Sequence, residues 1–136
     1  RPHVARAVDA HPDVEYDYAG AFEHLVGDDG PCYVARDVPG FDRGAALLRE
    51  SCALVGLAHP LRYDDPAAAL ESASELDAVE RYYPYDPPAD PEPVDRAIEA
   101  HGLLATGGSD AHDAVLGRAG LDRTAFAPVA RRLPLA

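Results

Sequence analysis

The sequence has 136 residues, of which 24 are acidic and 12 are basic, so its formal net charge at pH 7 is −12. The length suits one domain with a real core, and no apolar run reaches the roughly 20 residues that a membrane-spanning helix needs. The charge argues against non-specific binding to duplex nucleic acid or to a membrane at low salt, but it leaves open a small anionic substrate held by metals and arginines.

The first 37 residues are predicted to form short helices joined by loops. Pro2 suits the first turn of a helix, and apolar residues recur at helical spacing after it. A second helical stretch covers Tyr18–Val26, and the turn residues of Gly27–Pro31 end it. This part of the chain is therefore expected to be helical and to differ in pattern from the residues after position 40.

From residue 41 the pattern alternates between helices and short apolar runs. Helices are predicted at 42–52, where Asp42 can cap the start, and at 66–74 and 94–101, while strands are predicted at 53–58, 76–80 and 103–106. The first and third runs are apolar throughout, which is typical of strands buried on both faces. The alternation predicts α/β units on a parallel sheet, and three strands fit either an open sheet or half of a barrel.

Two loops and a last helix complete the predicted order. The segment 85–93 is rich in proline and short, so it is expected to connect two elements of one domain. Residues 116–122 are predicted to be a loop, and 125–132 a short helix. The chain shows no internal repeat and no low-complexity tract.

Candidate metal ligands follow two of the predicted strands. In α/β sheets, functional side chains collect just beyond the carboxyl ends of the strands. His59 follows the first apolar run, and Asp110 and His112 follow the third. Carboxylate and imidazole groups suit Mn²⁺, Fe²⁺ or Zn²⁺. By spacing alone, Asp-x-His is also typical of a capped turn, and a histidine beside proline is also typical of a structural role.

Two further segments carry side chains that suit a phosphate site. His3 lies between Arg1 and Arg6 near a helix start, an arrangement that can hold phosphate but that also occurs on solvated helix faces. The segment Glu80–Pro84 ends the second strand, so its residues either line the same mouth as the metal candidates or pack at the surface. Neither segment decides the function by itself.

Five segments resemble, in their order along the chain, those of the PHP (polymerase and histidinol phosphatase) phosphoesterases: Arg1–Ala7, Ala58–Pro60, Glu80–Pro84, Thr106–His112 and Leu116–Arg118. The branch most similar to the chain acts on nucleoside 3′,5′-bisphosphates and on the 5′ ends of short RNAs. Residues 23–34 also resemble the small helical insertion of that branch. The resemblance covers nearly the whole chain.

The resemblance implies an α/β fold, the C-terminal part of a distorted (β/α)7 TIM-like barrel with a small helical insertion. Residues 1–37 would be the insertion and residues 38–136 the C-terminal βα units. The early strands of this family carry a His-x-His pair, and the present sequence has none. We therefore expect the chain to be the C-terminal portion of a complete enzyme, with the remaining ligands upstream of Arg1.

The resemblance also implies ligands and a reaction. His59, Asp110 and His112 would bind divalent metal ions, Mn²⁺ in the first place, with Zn²⁺ or Fe²⁺ as alternatives. A metal-bridged hydroxide would hydrolyse a phosphate ester of a nucleotide or of a short RNA end. Asp110 would also orient the nucleophile, and His3 would assist phosphate binding or protonate the leaving group.

Arginines complete the implied substrate site. Arg1 and His3 are expected to approach the substrate phosphate, and Arg62 and Arg118 follow motif segments and are candidates for the same role. Two alternatives stay open: another PHP activity such as histidinol phosphate hydrolysis, and a degenerate, non-catalytic barrel that serves as a binding module. The segment resembling the helical insertion favours the nucleotide branch over histidinol phosphate.

Composition bears on the environment of the protein. All 12 basic residues are arginine, and lysine, asparagine and glutamine are absent. This composition favours a protein that is encoded by a GC-rich genome and adapted to high salt. The alternative is an ordinary acidic protein from an organism with a GC-rich genome. Cys32 and Cys52 are expected to be buried free thiols, with their pairing left open. A cytoplasmic location is expected.

Overall fold

The structure, a computed structural model, describes residues 1–28, 30–112 and 114–133. It comprises two compact units, Arg1–Val38 and Pro39–Ala136. The division falls one residue beyond the boundary predicted at residue 37. The assignment of the first unit to a PHP insertion and of the second to barrel units stays a prediction.

The N-terminal unit is built from short helices. Helix α1 (Pro2–Asp9) packs on helix α2 (Tyr18–Ala21) and buries Ala5 completely. The second helix continues as one π-helical turn, Phe22–Val26, so the predicted helical stretch is present over its whole length. The turn ends at Gly27, whose backbone N–H donates to the carbonyl of Phe22 at 2.8 Å.

The C-terminal unit alternates helices and strands. In chain order its elements are α3 (Phe41–Arg49), β1 (Gly56–Leu57), α4 (Pro66–Ser72), β2 (Ala78–Tyr82), α5 (Glu92–His101), β3 (Leu104–Gly107) and α6 (Arg123–Arg132). Two 3-10 turns, Pro60–Arg62 and Ala73–Glu75, follow β1 and α4. The helix–strand alternation predicted from the sequence is confirmed.

The three strands form one parallel sheet in the order β1-β2-β3. Val79 of the central strand is in register with Leu57 on one side and with Ala105 on the other. Glu80 is opposite Thr106. The parallel pairing agrees with the sequence, whereas closure into a (β/α)7 barrel stays a prediction, because these strands form an open sheet over the residues described.

The hydrophobic core lies between this sheet and helices α4 and α5. Its buried members are Leu57, Leu70, Ala73, Val79, Val94, Ala97 and Leu103. Outside the core, α6 packs against β3. Arg81 at the end of β2 forms a bidentate ion pair with Asp95 of α5, which ties the central strand to its helix.

The predicted strands differ in detail from those observed. The run predicted at 53–58 is a strand only at Gly56–Leu57, because the N–H of Val55 donates to the side chain of Asp77 at 3.0 Å and not to a strand backbone. The second strand covers 78–82 and not 76–80, since a 3-10 turn precedes it. Neither apolar run is buried on both faces as predicted. In the first run Ala53, Gly56 and Ala58 are exposed, and the third strand is half-buried and, among the described strands, pairs only with β2.

Several acidic residues begin helices. The side chains of Asp17, Asp65 and Asp122 each accept a backbone N–H three residues further on, at 2.7, 3.0 and 2.8 Å respectively. The predicted cap Asp42 is instead in the first turn of α3, whose N-cap is Gly40. A carboxylate there still favours the helix through the macrodipole.

The last predictions to compare with the structure concern the two cysteines and membrane-spanning helices. Cys32 and Cys52 are free, as expected, but both are exposed, so the prediction that they are buried is wrong. Cys32 lies in an exposed turn and Cys52 just past the last turn of α3, where neither is covered by the core. Within the described ranges, no helix combines the length and the apolar character that crossing a membrane requires.

Candidate functional site

The candidate site is a cavity of about 400 Å³ in the C-terminal unit, lined by His59, Arg62, Tyr63, Asp110 and His112. The segments following β1 and β3 supply these side chains. Because parallel strands place their carboxyl ends at one edge of the sheet, the two segments meet there. The prediction that these strand-end residues share one mouth is confirmed, and their role as metal ligands stays a prediction.

His59 is held in an unusual conformation. Its backbone has φ 33° and ψ 58°, in the left-handed region that non-glycine residues rarely adopt. Its N–H donates to the Glu80 carboxylate at 2.7 Å, a charge-assisted hydrogen bond that fixes the residue in this turn. The central strand therefore positions the backbone of the first candidate ligand.

The ring of His59 has one nitrogen without a partner. Nδ1 is buried and makes no hydrogen bond to any described residue. Leaving a polar atom buried in this way costs about 1–3 kcal/mol, so such atoms in folded proteins call for an explanation. The ring stands edge-on to Tyr83, with centroids 5.5 Å apart. His59 lines the cavity together with Asp110, and an imidazole and a carboxylate are groups that suit a cation.

Asp110 is engaged by a phenol and a guanidinium. The Tyr83 hydroxyl donates to Asp110 Oδ2 at 2.8 Å and accepts from Arg62 at 2.8 Å. The Arg62 guanidinium also lies 3.7 Å from the same carboxylate oxygen. Asp110 has φ 43°, again in the left-handed region, which asparagine and aspartate tolerate better than other residues with a Cβ.

The protonation states of this group of side chains follow from its contacts. Burial is the largest cause that raises the pKa of Tyr83, followed by its hydrogen bond to Asp110, so the phenol keeps its proton at neutral pH. The hydrogen bond to Tyr83 is the largest cause that raises the pKa of Arg62. Tyr83 is therefore a hydrogen-bond donor to Asp110, and Arg62 is a cation at the wall of the cavity.

His112 is exposed and turned back on its own loop. Its Nδ1 is 2.7 Å from the carbonyl oxygen of Asp110. Because a carbonyl only accepts, this contact places a proton on Nδ1, and in the neutral ring the lone pair is then on Nε2. A metal-binding histidine commonly has its other nitrogen fixed in this way.

The donor set fits a divalent metal in kind. Two imidazoles and one carboxylate suit Mn²⁺, Zn²⁺ or Fe²⁺, and the buried Nδ1 of His59 is consistent with such a ligand. Over the residues that the structure describes, no three histidine, cysteine or acidic side chains are gathered as one ion would require. The Asp110 carboxylate instead faces Tyr83 and Arg62.

The loop after β3 has internal contacts that set its course. The Ser109 hydroxyl accepts the backbone N–H groups of Gly117 and Arg118 at 2.8 and 3.0 Å. The two glycines before it, Gly107 and Gly108, pass close to residues of β2. A Cβ on Gly107 would lie 2.7 Å from that of Tyr82, and one on Gly108 would lie 3.3 Å from a carboxylate oxygen of Glu80.

The predicted phosphate ligands lie in different places. Arg62 lines the cavity, while Arg118 is exposed and is not among the residues that line it. Arg1 and His3 belong to the N-terminal unit, where Arg1 pairs with Asp28 and stacks over the ring of Tyr33. His3 is exposed on α1. Phosphate binding by Arg1 and His3 stays a prediction.

Two functional candidates were missed by sequence reasoning, Glu80 and Tyr83. Their segment was recognised as a strand end, but surface packing explained it equally well. The structure puts β2 in the middle of the sheet, so its terminal side chains lie between the two candidate loops. The available signal was this polar pair at a strand end. The strand order, which shows that the strand is central, is needed to place the pair between the two loops.

Removing the Glu80 carboxylate should loosen the turn at His59. We expect Glu80→Ala to lower the free energy of unfolding by about 2 kcal/mol, because it deletes a charge-assisted hydrogen bond to a partly buried N–H. Glu80→Gln keeps an acceptor oxygen and should lose about half as much. Urea denaturation followed by circular dichroism measures both.

A matched control for this change is Glu99→Ala on the exposed side of α5. It removes the same side chain from a surface position and should alter the free energy of unfolding by less than about 0.5 kcal/mol. Equal losses for Glu80→Ala and Glu99→Ala would contradict the positioning role of Glu80.

Comparison with known proteins adds no relative. No protein-family model matches the chain, and neither a curated protein nor a solved structure matches it significantly.

Proposed function

We propose that the protein is a metal-dependent phosphoesterase of the PHP type that hydrolyses a phosphate ester of a nucleotide or of a short RNA end. The observation that carries the proposal is the cavity in which His59, Asp110 and His112 meet, with the buried Nδ1 of His59 facing no hydrogen-bond partner. The ordered resemblance of five segments to that family supplies the reaction type.

In this proposal His59, Asp110 and His112 hold a divalent metal, Mn²⁺ in the first place and Zn²⁺ or Fe²⁺ as alternatives. A metal bound by these residues would supply a hydroxide at neutral pH and would neutralise charge on the phosphate. Glu80 keeps the backbone of His59 in its left-handed turn. The Asp110 carbonyl keeps His112 in the tautomer with its lone pair on Nε2.

Arg62 and Tyr83 are the proposed phosphate ligands. Both now converge on one anionic oxygen, Oδ2 of Asp110, with a cation 3.7 Å away and a phenol donating at 2.8 Å. A phosphate oxygen presents the same charge and the same acceptor geometry. If Asp110 held a metal, these two donors would be available to hold a substrate phosphate and to stabilise the charge on its equatorial oxygens.

A second candidate is a binding module without catalysis. Two observations favour it: Asp110 is engaged by Tyr83 and Arg62, and no three-ligand group is gathered over the described residues. In that case Arg62 and Tyr83 bind a phosphorylated ligand and no ester bond is cleaved. A histidinol-phosphatase-like activity is the alternative among enzymes.

Metal removal separates these functions. The full-length protein is treated with EDTA, dialysed, and assayed with Mn²⁺, Zn²⁺ or Fe²⁺ on a nucleoside 3′,5′-bisphosphate, a 5′-phosphorylated short RNA and histidinol phosphate. We expect phosphate release to disappear with the metal, since the hydroxide requires it, and to return with Mn²⁺ on the nucleotide substrates. Assays at low and high salt control for the repulsion between a chain of charge −12 and an anionic substrate.

The alternatives have distinct outcomes in the same assay. A preference for histidinol phosphate would transfer the protein to that branch. No phosphate release from any substrate with any metal would contradict the enzyme, and binding of the nucleotide under those conditions would support the binding module. Reading the gene upstream of Arg1 for a His-x-His after a predicted strand is an independent check.

A further inference from the structure

A second cavity, of about 480 Å³, lies beside the candidate site and shares Arg62 with it. We call it the tyrosine–proline groove, and its lining residues are Leu61, Arg62, Tyr83, Pro84, Tyr85, Asp86, Pro87, Pro88 and Ala89. Its volume is within the range of small-molecule sites. Tyr83 links the two cavities, because its ring lines the groove while its hydroxyl bonds to Asp110.

The walls of the groove are fixed before any ligand binds. Three of the lining residues are prolines, whose rings restrict the backbone. The Tyr85 hydroxyl accepts the N–H of Leu61 at 3.2 Å, which ties this segment to the 3-10 turn after β1. The rings of Tyr83 and Tyr85 contact each other with centroids 4.6 Å apart. A preformed wall loses little entropy when a ligand binds.

The charge of the groove selects against a second phosphate. Of its described lining residues, the charged ones are Arg62 and Asp86. The guanidinium of Arg62 is directed at Tyr83 and Asp110, toward the candidate site. The carboxylate of Asp86 repels an anion while it accepts hydrogen bonds from N–H groups. Burial raises the pKa of Tyr85, so its ring is neutral at neutral pH.

We propose that the tyrosine–proline groove binds the nucleobase of the substrate whose phosphate lies against Arg62. Aromatic and proline faces suit a flat heterocycle, and the Asp86 carboxylate suits its N–H donors. Because Arg62 lines both cavities, the groove lies next to the proposed phosphate position. This assignment rests on the proposed function, since it takes the base and the phosphate to belong to one molecule.

Binding of nucleosides tests the groove without catalysis. The probes are adenosine, guanosine, cytidine and uridine, with ribose as the ligand that lacks a base, and affinity is measured by isothermal titration calorimetry on the full-length protein. We expect at least one nucleoside to bind more tightly than ribose. Tyr85→Leu should weaken its binding roughly tenfold, because it removes a stacking face. Tyr85→Phe keeps that face but loses the hydroxyl that accepts the Leu61 N–H, so it should weaken binding less than Tyr85→Leu does.

Further measurements distinguish a loss of nucleoside binding from a loss of folding and from a loss of phosphate binding. Asp86→Asn keeps the shape of the side chain and should weaken nucleoside binding by about three- to tenfold, which decides the matter if Tyr85→Leu fails to fold. Neither variant should change binding of inorganic phosphate. Circular dichroism confirms that each variant is folded.

The outcomes distinguish the two proposals. Nucleoside binding that depends on Tyr85, in a protein that releases no phosphate, would support the groove and contradict the phosphoesterase. Phosphate release from nucleotides with no nucleoside binding, or with binding that Tyr85→Leu and Asp86→Asn both leave unchanged, would overturn the groove and leave the phosphoesterase standing.

Discussion

Asp110→Asn is expected to lower Mn²⁺-dependent phosphate release in the full-length protein by more than about 100-fold. Loss of a residue that merely supports a metal ligand typically costs about 10- to 100-fold in metal affinity or activity. Asp110 is proposed as a ligand itself, so Asp110→Asn removes the negative charge and one of the two carboxylate oxygens that the metal would bind. The measurement is kcat/KM on a nucleoside bisphosphate at saturating Mn²⁺, together with Mn²⁺ affinity by calorimetry.

Asparagine is the informative replacement because of the backbone. Asp110 has φ 43°, a conformation that asparagine adopts readily and that alanine resists. Alanine would therefore combine strain in the loop with the loss of the carboxylate, whereas asparagine keeps the shape and an acceptor for the Tyr83 hydroxyl. A loss of turnover in Asp110→Asn reports on the charge and not on the fold of the loop.

The matched control is Asp42→Asn, at an exposed position in the first turn of α3. It removes the same charge from a helix that supplies none of the residues lining the candidate site. Its turnover should stay within about twofold of the parent, as for most surface substitutions. Undiminished turnover and Mn²⁺ affinity in Asp110→Asn would remove Asp110 from the metal site and with it the central part of the proposed function.

The position of the candidate site was predictable from local patterns. Apolar runs alternating with helices predicted parallel strands, and parallel strands end at one edge of a sheet. That rule alone places His59 and Asp110 in the same cavity, as the structure does. The exact strand limits were not predictable, because hydrogen bonds such as that from Val55 to the Asp77 side chain replace ladder bonds.

The contacts within the site were not predictable, for two physical reasons. The strand order sets which side chains stand between the two loops, and nothing in the local pattern says that the strand ending near Glu80 and Tyr83 is central. A tertiary hydrogen bond to Glu80 holds the left-handed turn at His59, and Asp110 has a second left-handed turn although it is not glycine. The contact of Asp110 with Tyr83 follows from both of these.

Val79→Asp is expected to unfold the C-terminal unit. Val79 is fully buried at the centre of the core and is in register with both Leu57 and Ala105. An unpaired carboxylate in an apolar core costs several kcal/mol even after relaxation, and domains are stable by only about 5–15 kcal/mol. Circular dichroism at about 25 °C and the urea midpoint measure the loss.

The same change should remove the candidate site, since Val79 joins the two strands that carry it. His59 follows β1 and Asp110 follows β3, so separation of these strands from β2 separates the ligands. The matched control is Val34→Asp, where the side chain is 84% exposed and the same charge should cost less than about 0.5 kcal/mol. Equal urea midpoints for Val79→Asp and Val34→Asp would contradict the position of Val79 in the core. Binding of Mn²⁺ or nucleoside should disappear together with the fold, because the candidate ligands meet only when all three strands are paired.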